Sequence, residues 1–337
     1  MSREAARKRA AALEAAGGRL VTSKPADVRW LLCGRGRPVD EAGESSPYTV
    51  VLEDGAARVL YQDIERSRVE AEERWNELGY EPVSYPWFEG HGLEDTPPAL
   101  DEVRRELCDD ELERYRRAGA EAAEAMRATL GFLRPDSTER EVAAELARQA
   151  RLRDFFPPVI LVAGEERQMV HRHPLPTGAA LGRHALLAIT AEREGLYVSL
   201  TRLVSFGPPP DELARLVAAC AKVDAAFLTA SRPRATLGEV FSAGADVYAD
   251  VGFPEEWRHH HQGGLTGYRG REVFGTPDEP VVIPARAAVA WNPSIAGGAK
   301  SEDTALVTAA GVEVITRTPD LGELETRGLP RPAIVEL

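Results

Sequence analysis

The chain has 337 residues, 43% hydrophobic and 28% charged, with 54 acidic side chains against 41 Lys and Arg and a net charge of -13. That length can bury one large core or two smaller ones, and the acidic balance argues against a nucleic-acid groove or an anionic membrane surface as partner. Cys33, Cys108 and Cys220 are far apart and odd in number, which gives neither a disulfide framework nor a cysteine zinc site. No apolar run approaches the length of a membrane span, so a cytoplasmic protein without nucleic-acid or membrane partners is expected.

In chain order, "MSREAARKRAAALEAAGG" reads as a polar or amphipathic helix. "YTVVLEDGAARVLY" reads as strand, "EDG" turn, strand. "DIERSRVEAEERWNELGY" reads as a charged helix closed by a glycine, and "WFEGHGLEDTPPALDEV" as a connection. These elements make residues 1–104 a small α/β domain and leave 105–337 as a second, larger one.

The second segment opens with a long helix, "LCDDELERYRRAGAEAAEAMRATLGFL", then an "RP" turn and a helix that Thr138 and Glu141 cap at capping-box spacing. The layout returns later. "PDELARLVAACAKVDAAFLTA" is a long helix, "RP" follows, and Thr236 and Glu239 stand at the same spacing. This repetition predicts two similar α/β halves around one site. "HALLAITAEREGLYVSLTRLVSFG" reads as a hairpin turning at "AEREG", and "AAVAWNPSIAGGAKSEDTALVTAAGVEVIT" as three short strands. A mainly antiparallel sheet backed by the helices near 108–130 and 212–230 follows.

Four polar stretches carry candidate chemistry. "MVHRHPLPTG" holds His171 and His173, which share a face if the chain is extended. In "YVSLTRLVSFG", alternation puts Ser199 and Thr201 on one face and Arg202 on the other, where an arginine needs a partner. Glu302 or Asp303 is the expected one. "RHHHQGGLTGY" carries three adjacent imidazoles; alternation would pair His259 with His261 and turn His260 away, and the glycines admit a close ligand or backbone. "AWNPSIAGGAKSEDTALV" brings Trp291 and Asn292 close in sequence to Lys300, Glu302 and Asp303.

Together these segments resemble the creatinase/aminopeptidase-P superfamily, peptidase family M24, and its Xaa-Pro dipeptidase-like members. "PADVRWLLCGRG" is similar to an early N-domain motif of these enzymes, "YVSLTR" to a Ser-Asp-x-Thr-Arg segment, "HQGG" to a His-Gly-x-Gly segment, and "KSEDTALVT" to the closing Glu-Asp-Thr segment. The resemblance implies an α/β (α+β) protein with a small N-terminal α/β domain and a C-terminal pita-bread catalytic domain of pseudo-symmetric halves. It also implies a homodimer. Metal-dependent members hold two ions on two aspartates, a histidine and two glutamates. Those positions fall here on Ala188, Ser199, His261, Asn292 and Glu302, and the proton-handling histidine falls on His173. A further family histidine falls on Tyr268.

An enzyme is therefore expected, with His173, His261 and Glu302 as catalytic residues and Ser199, Arg202, His260, Tyr268, Trp291 and Asn292 lining the substrate site. No cofactor is expected; if one ion is held, His261 and Glu302 with one more histidine are its ligands. The leading reading is a metal-independent hydrolase of a C–N bond in a small amide, lactam or amino-acid-derived substrate, with His173 carrying the proton. A metal-dependent Xaa-Pro dipeptidase or aminopeptidase stands beside it, and so does a non-catalytic protein that binds a small molecule or short peptide.

Overall fold

The computed structural model describes every residue except Met1, Ala42, Asp54, Pro98 and Ala99. The central residue of the expected "EDG" turn and part of the expected connection near residue 98 thus lie outside the described residues. The chain divides into two units, Met1–Asp110 with Arg193–Leu196 and Gly267–Arg269, and Glu111–Glu192 with Tyr197–Thr266 and Gly270–Leu337.

The first unit carries a four-stranded sheet in the order β1 (Leu20–Thr22), β2 (Tyr48–Glu53), β3 (Ala56–Gln62), β4 (Glu81–Tyr85). The helix Arg3–Ala15 opens it, with the Ser2 side chain accepting from the Ala5 backbone N–H. The charged segment 63–78 differs from the expected single helix and breaks into short helical pieces. Arg74 adopts a left-handed conformation at φ +50°, which ends any continuous helix there. The buried Trp75 then packs edge-on against Tyr48 and Tyr61.

The second unit repeats itself. Helices Asp109–Leu130 and Glu139–Arg151 precede β5 (Phe156–Gly164) and the hairpin β6 (His184–Arg193) and β7 (Leu196–Ser205). Helices Asp211–Ala230 and Leu237–Asp250 precede β8 (Gly263–Thr266), β9 (Val273–Phe274) and β10 (Ala287–Trp291). Both shorter helices start in a complete capping box, at Thr138 with Glu141 and at Thr236 with Glu239. The backbone repeats as well: Thr138 bridges to Ala180 and Thr236 to Val282, each antiparallel. The hairpin turns through Glu194 at φ +51° and Gly195 at φ +82°, the two positive angles of a tight hairpin turn whose twist suits its strands.

Five strands form over 287–316 where three were expected: β10, then β11 (Ser294–Ile295), β12 (Ala299–Lys300), β13 (Asp303–Thr308) and β14 (Gly311–Val314). Pro293 ends β10 by removing a donor, and Gly297 and Gly298, both at positive φ, turn the ribbon β11–β12 back on itself. One sheet has the order β14-β13-β10-β8-β9, all antiparallel. The other runs β15-β7-β6-β5, where β15 (Val335–Glu336) pairs parallel to β7. An isolated bridge from Thr201 to Glu302 joins the two sheets.

Two packing features hold this unit. Phe227 stacks on Trp291 with centroids 4.6 Å apart and planes 9° from parallel, and the Gly244 Cα sits against the Phe227 ring. A Cβ added there would come within 2.2 Å of that ring. Beneath the bridge lies a buried ion network. Asp303 accepts from Arg202 Nη2 at 2.9 Å and from Arg331 Nη2 at 2.8 Å, and Arg331 also donates to Asp224. Arg202 meets its remaining needs with Thr318 Oγ1 and the carbonyls of Thr201 and Thr316, each at 2.7 Å.

Removing one partner of a buried pair strands the other charge. Arg202→Ala is therefore expected to lose roughly 3–5 kcal/mol of stability in urea unfolding. Gly244→Ala, which overpacks against a ring with nowhere to move, should lose roughly 1–3 kcal/mol in the same measurement.

Candidate functional site

The second unit encloses a cavity of ≈ 360 Å³. Its floor is β5 and β6 through Val159, Leu161, Ala188, Ile189 and Thr190; its polar rim is His173, His261, Arg271, Asn292, Lys300 and Glu302. Each polar group arrives on a different piece of chain. The stop at Pro293 leaves Asn292 at the end of β10. Period-two alternation through "KSE" puts Lys300 and Glu302 on one face. The paired glycines after His261 let β8 approach β10 so closely that a Cβ on Gly263 would lie 2.1 Å from the Ala290 carbonyl oxygen.

Among the described residues, Glu302 is the only carboxylate lining the cavity. It is buried, accepts from Thr201 Oγ1 at 2.7 Å and faces Arg271 Nη2 at 3.4 Å. Lys300 is 5% exposed, and among the described residues no hydrogen bond or ion pair reaches its Nζ. Burial pulls the Lys300 ammonium and the Arg271 guanidinium below their usual ranges. Asn292 Oδ1 is buried and has no hydrogen-bond partner among the described residues. The cavity thus pairs two cations with one anion.

Beside it stand three imidazoles. His260 Nε2 and His173 Nε2 are 2.9 Å apart, and the His260 and His261 rings stack at 4.5 Å. Burial, with Lys300 next, pushes His260 down to about 2; burial, with Arg271 next, pushes His261 down to about 4. Burial lowers His173 as well. All three rings are neutral near pH 7. The expected partnership of His259 with His261 does not form. Glu256–His259 is a short helical turn rather than a strand, and the chain becomes extended only at His260.

Of the expected site residues, His173, His261, Asn292 and Glu302 meet at the cavity, and His260 joins them through His173. Ser199 lies on β7, bonded to Thr190 Oγ1 at 2.9 Å behind the wall. Arg202 is consumed by Asp303, one of its two expected partners. Trp291 is core, stacked on Phe227 with its Nε1 donating to Ser231. Tyr268 clusters with the first unit, where its hydroxyl accepts from Lys8 Nζ at 3.1 Å. Lys300 and Arg271 were not among the expected site residues. The signal for Lys300 was its place two residues before Glu302; nothing comparable marked Arg271.

Several known proteins share this architecture. Dipeptidase PepE from Mycobacterium ulcerans superposes with a TM-score of 0.75 at 19% identity, covering 99% of this chain and 98% of that one. A Xaa-Pro dipeptidase from Bacillus anthracis gives 0.72 at 19% identity, with 96% and 99% covered. At those identities the likeness speaks for the fold. In sequence, an uncharacterized peptidase of Staphylococcus aureus (strain MRSA252) is 21% identical over 238 residues, 68% of this chain and 67% of its own length. A Xaa-Pro dipeptidase of Lactobacillus delbrueckii subsp. lactis is 24% identical over 228 residues, 64% and 61% of the two chains. The sequence model of metallopeptidase family M24 matches residues 113–309, more than half of the chain. With its repeated helix-and-strand unit and the cavity between the two sheets, the chain belongs to metallopeptidase family M24.

Proposed function

We propose that the protein hydrolyses a C–N bond in a short peptide or small amide carrying a free carboxylate, and does so in the cavity beside His173. The observation that carries this reading is the pair of basic side chains at the cavity, buried Lys300 and largely buried Arg271, set against a single engaged carboxylate, Glu302. An unpartnered buried ammonium is costly, and a substrate carboxylate is the counter-charge that offsets it. Asn292 Oδ1 is free to accept from a substrate N–H. His173, neutral and at the rim, can take a proton from water and return it to the leaving amine. Relatives named Xaa-Pro dipeptidase favour the metal-dependent dipeptidase over the metal-independent hydrolase.

The two ions that the resemblance implies do not fit here. Ala188 offers no ligand atom, Ser199 and Asn292 are neutral, and Glu302 is already held by Thr201 and Arg271. Two dications in a space lined by Lys300 and Arg271 would meet repulsion from both. Water addition to the carbonyl and departure of the amine rest on His173, with the cations holding the substrate carboxylate and Asn292 orienting the amide.

The test is amine release from a panel of dipeptides, Xaa-Pro included, each paired with its C-terminal amide. The free acids should be cleaved and the amides cleaved far more slowly. His173→Ala should reduce kcat at least about 100-fold. Activity lost to chelator and restored by a divalent cation supports the dipeptidase reading; activity indifferent to chelator supports the metal-independent one. Equal cleavage of acids and amides would remove the carboxylate from the proposal.

A further inference from the structure

We propose that His173, His260 and His261 form a mononuclear site for zinc or a similar borderline divalent cation, apart from the dinuclear position of the family, with an anion as fourth ligand. The existence of this site does not rest on the hydrolase reading above, in which His173 acts with no metal on its imidazole.

Geometry comes first. One ring nitrogen from each histidine lies within 4.8 Å of the other two, and the His173 and His260 Nε2 atoms are 2.9 Å apart. Zinc sits about 2.1 Å from imidazole nitrogen, so ligands sharing a tetrahedral ion stand about 3.4 Å apart. A gap at the 4.8 Å limit closes to that distance with a shift of up to about 1.4 Å. His173, exposed and on a loop after residue 168, can supply that movement. The other two rings are already stacked side by side.

Ligand chemistry comes second. Three neutral nitrogens suit zinc, cobalt, nickel or copper and suit magnesium, calcium or manganese poorly, since those prefer oxygen. His260 has no assigned counterpart in the family's ligand set. Its participation is what separates this site from the inherited one, which would use His261 with Glu302.

Charge decides the fourth ligand. Lys300 and Arg271 face the adjoining cavity, and Arg172, ion-paired to Glu256, stands nearby. A dication held by three neutral rings gains no compensating charge from them. A carboxylate or halide bound between the ion and the Lys300 ammonium offsets both. The site should therefore bind its metal more tightly when a small carboxylate is present, and Lys300 should carry that dependence.

The experiment needs no substrate. Metal-free protein is titrated with cobalt(II), followed by its visible d–d bands, and then with zinc, followed by elemental analysis. One equivalent with the intense bands of a four-coordinate ion is expected, and acetate should sharpen the binding curve. His260→Ala and His173→Ala should each weaken binding at least about tenfold, while Glu302→Gln keeps the stoichiometry and the band pattern. His173 is exposed, so its variant folds even where a change at His260 disturbs the loop; thermal unfolding checks both. Two equivalents, no binding, or metal lost in Glu302→Gln and retained in His260→Ala would each overturn the site. Metal bound as expected, with no peptide cleaved, would leave the site standing and remove the hydrolase reading instead.

Discussion

Asp303 is shared between two buried arginines, and the site depends on that sharing. Arg202 comes from β7 of one sheet, Arg331 from the strand Leu329–Pro332, and Asp303 from the first residue of β13 in the other sheet. A carboxylate buried this deeply must be paired on both oxygens, and here each oxygen has its own guanidinium. The network therefore fixes where β13 begins relative to β7. Glu302 is the residue before it, and its carbonyl accepts from the Thr201 backbone N–H at 3.0 Å. The orientation of the cavity's carboxylate thus follows from a salt bridge that never touches the cavity.

The cavity is then defined by what its neighbours lack. Ala188 presents a methyl group where the resemblance implies an aspartate, and Asn292 an amide where it implies a glutamate. Without those acids, burial pulls the Lys300 ammonium down, and among the described residues no hydrogen bond or ion pair reaches it. The polar rim of the cavity carries two basic side chains, Lys300 and Arg271, against one acidic one, Glu302. The cluster of imidazoles sits at the edge of this field, neutral and close-set, and it is the one place nearby whose donors suit a metal without adding to the charge imbalance.

Much of the architecture was legible in the sequence because the signals were local. Both capping boxes follow from Thr and Glu three residues apart, and the hairpin from glycine at a turn. The long helices followed from their apolar stripes. The segment 63–78 was misread as one helix because its charge pattern is helical while Arg74 is not. The site was legible in part. His173, His261, Asn292 and Glu302 stand in recognisable motifs, and they meet. Arg202 was recognised as needing a partner, yet sequence could not say that the partner would use it up. Trp291 and Tyr268 looked like site residues because they adjoin motif residues, but strand alternation and a turn carry them to the core and to the first unit. Arg271 had no local signal at all, since its role arises only when a loop after β8 folds back over Glu302. The adjacency of His260 to His173 is likewise a long-range contact across 87 residues.

Crystals of the zinc-loaded protein, measured for anomalous scattering at the zinc edge, test the central claim most directly. The claim is that the family's dinuclear position no longer holds metal and that any ion sits on the histidines. It predicts a single peak bounded by His173, His260 and His261. Two peaks about 3.5 Å apart between His261, Asn292 and Glu302 would contradict it.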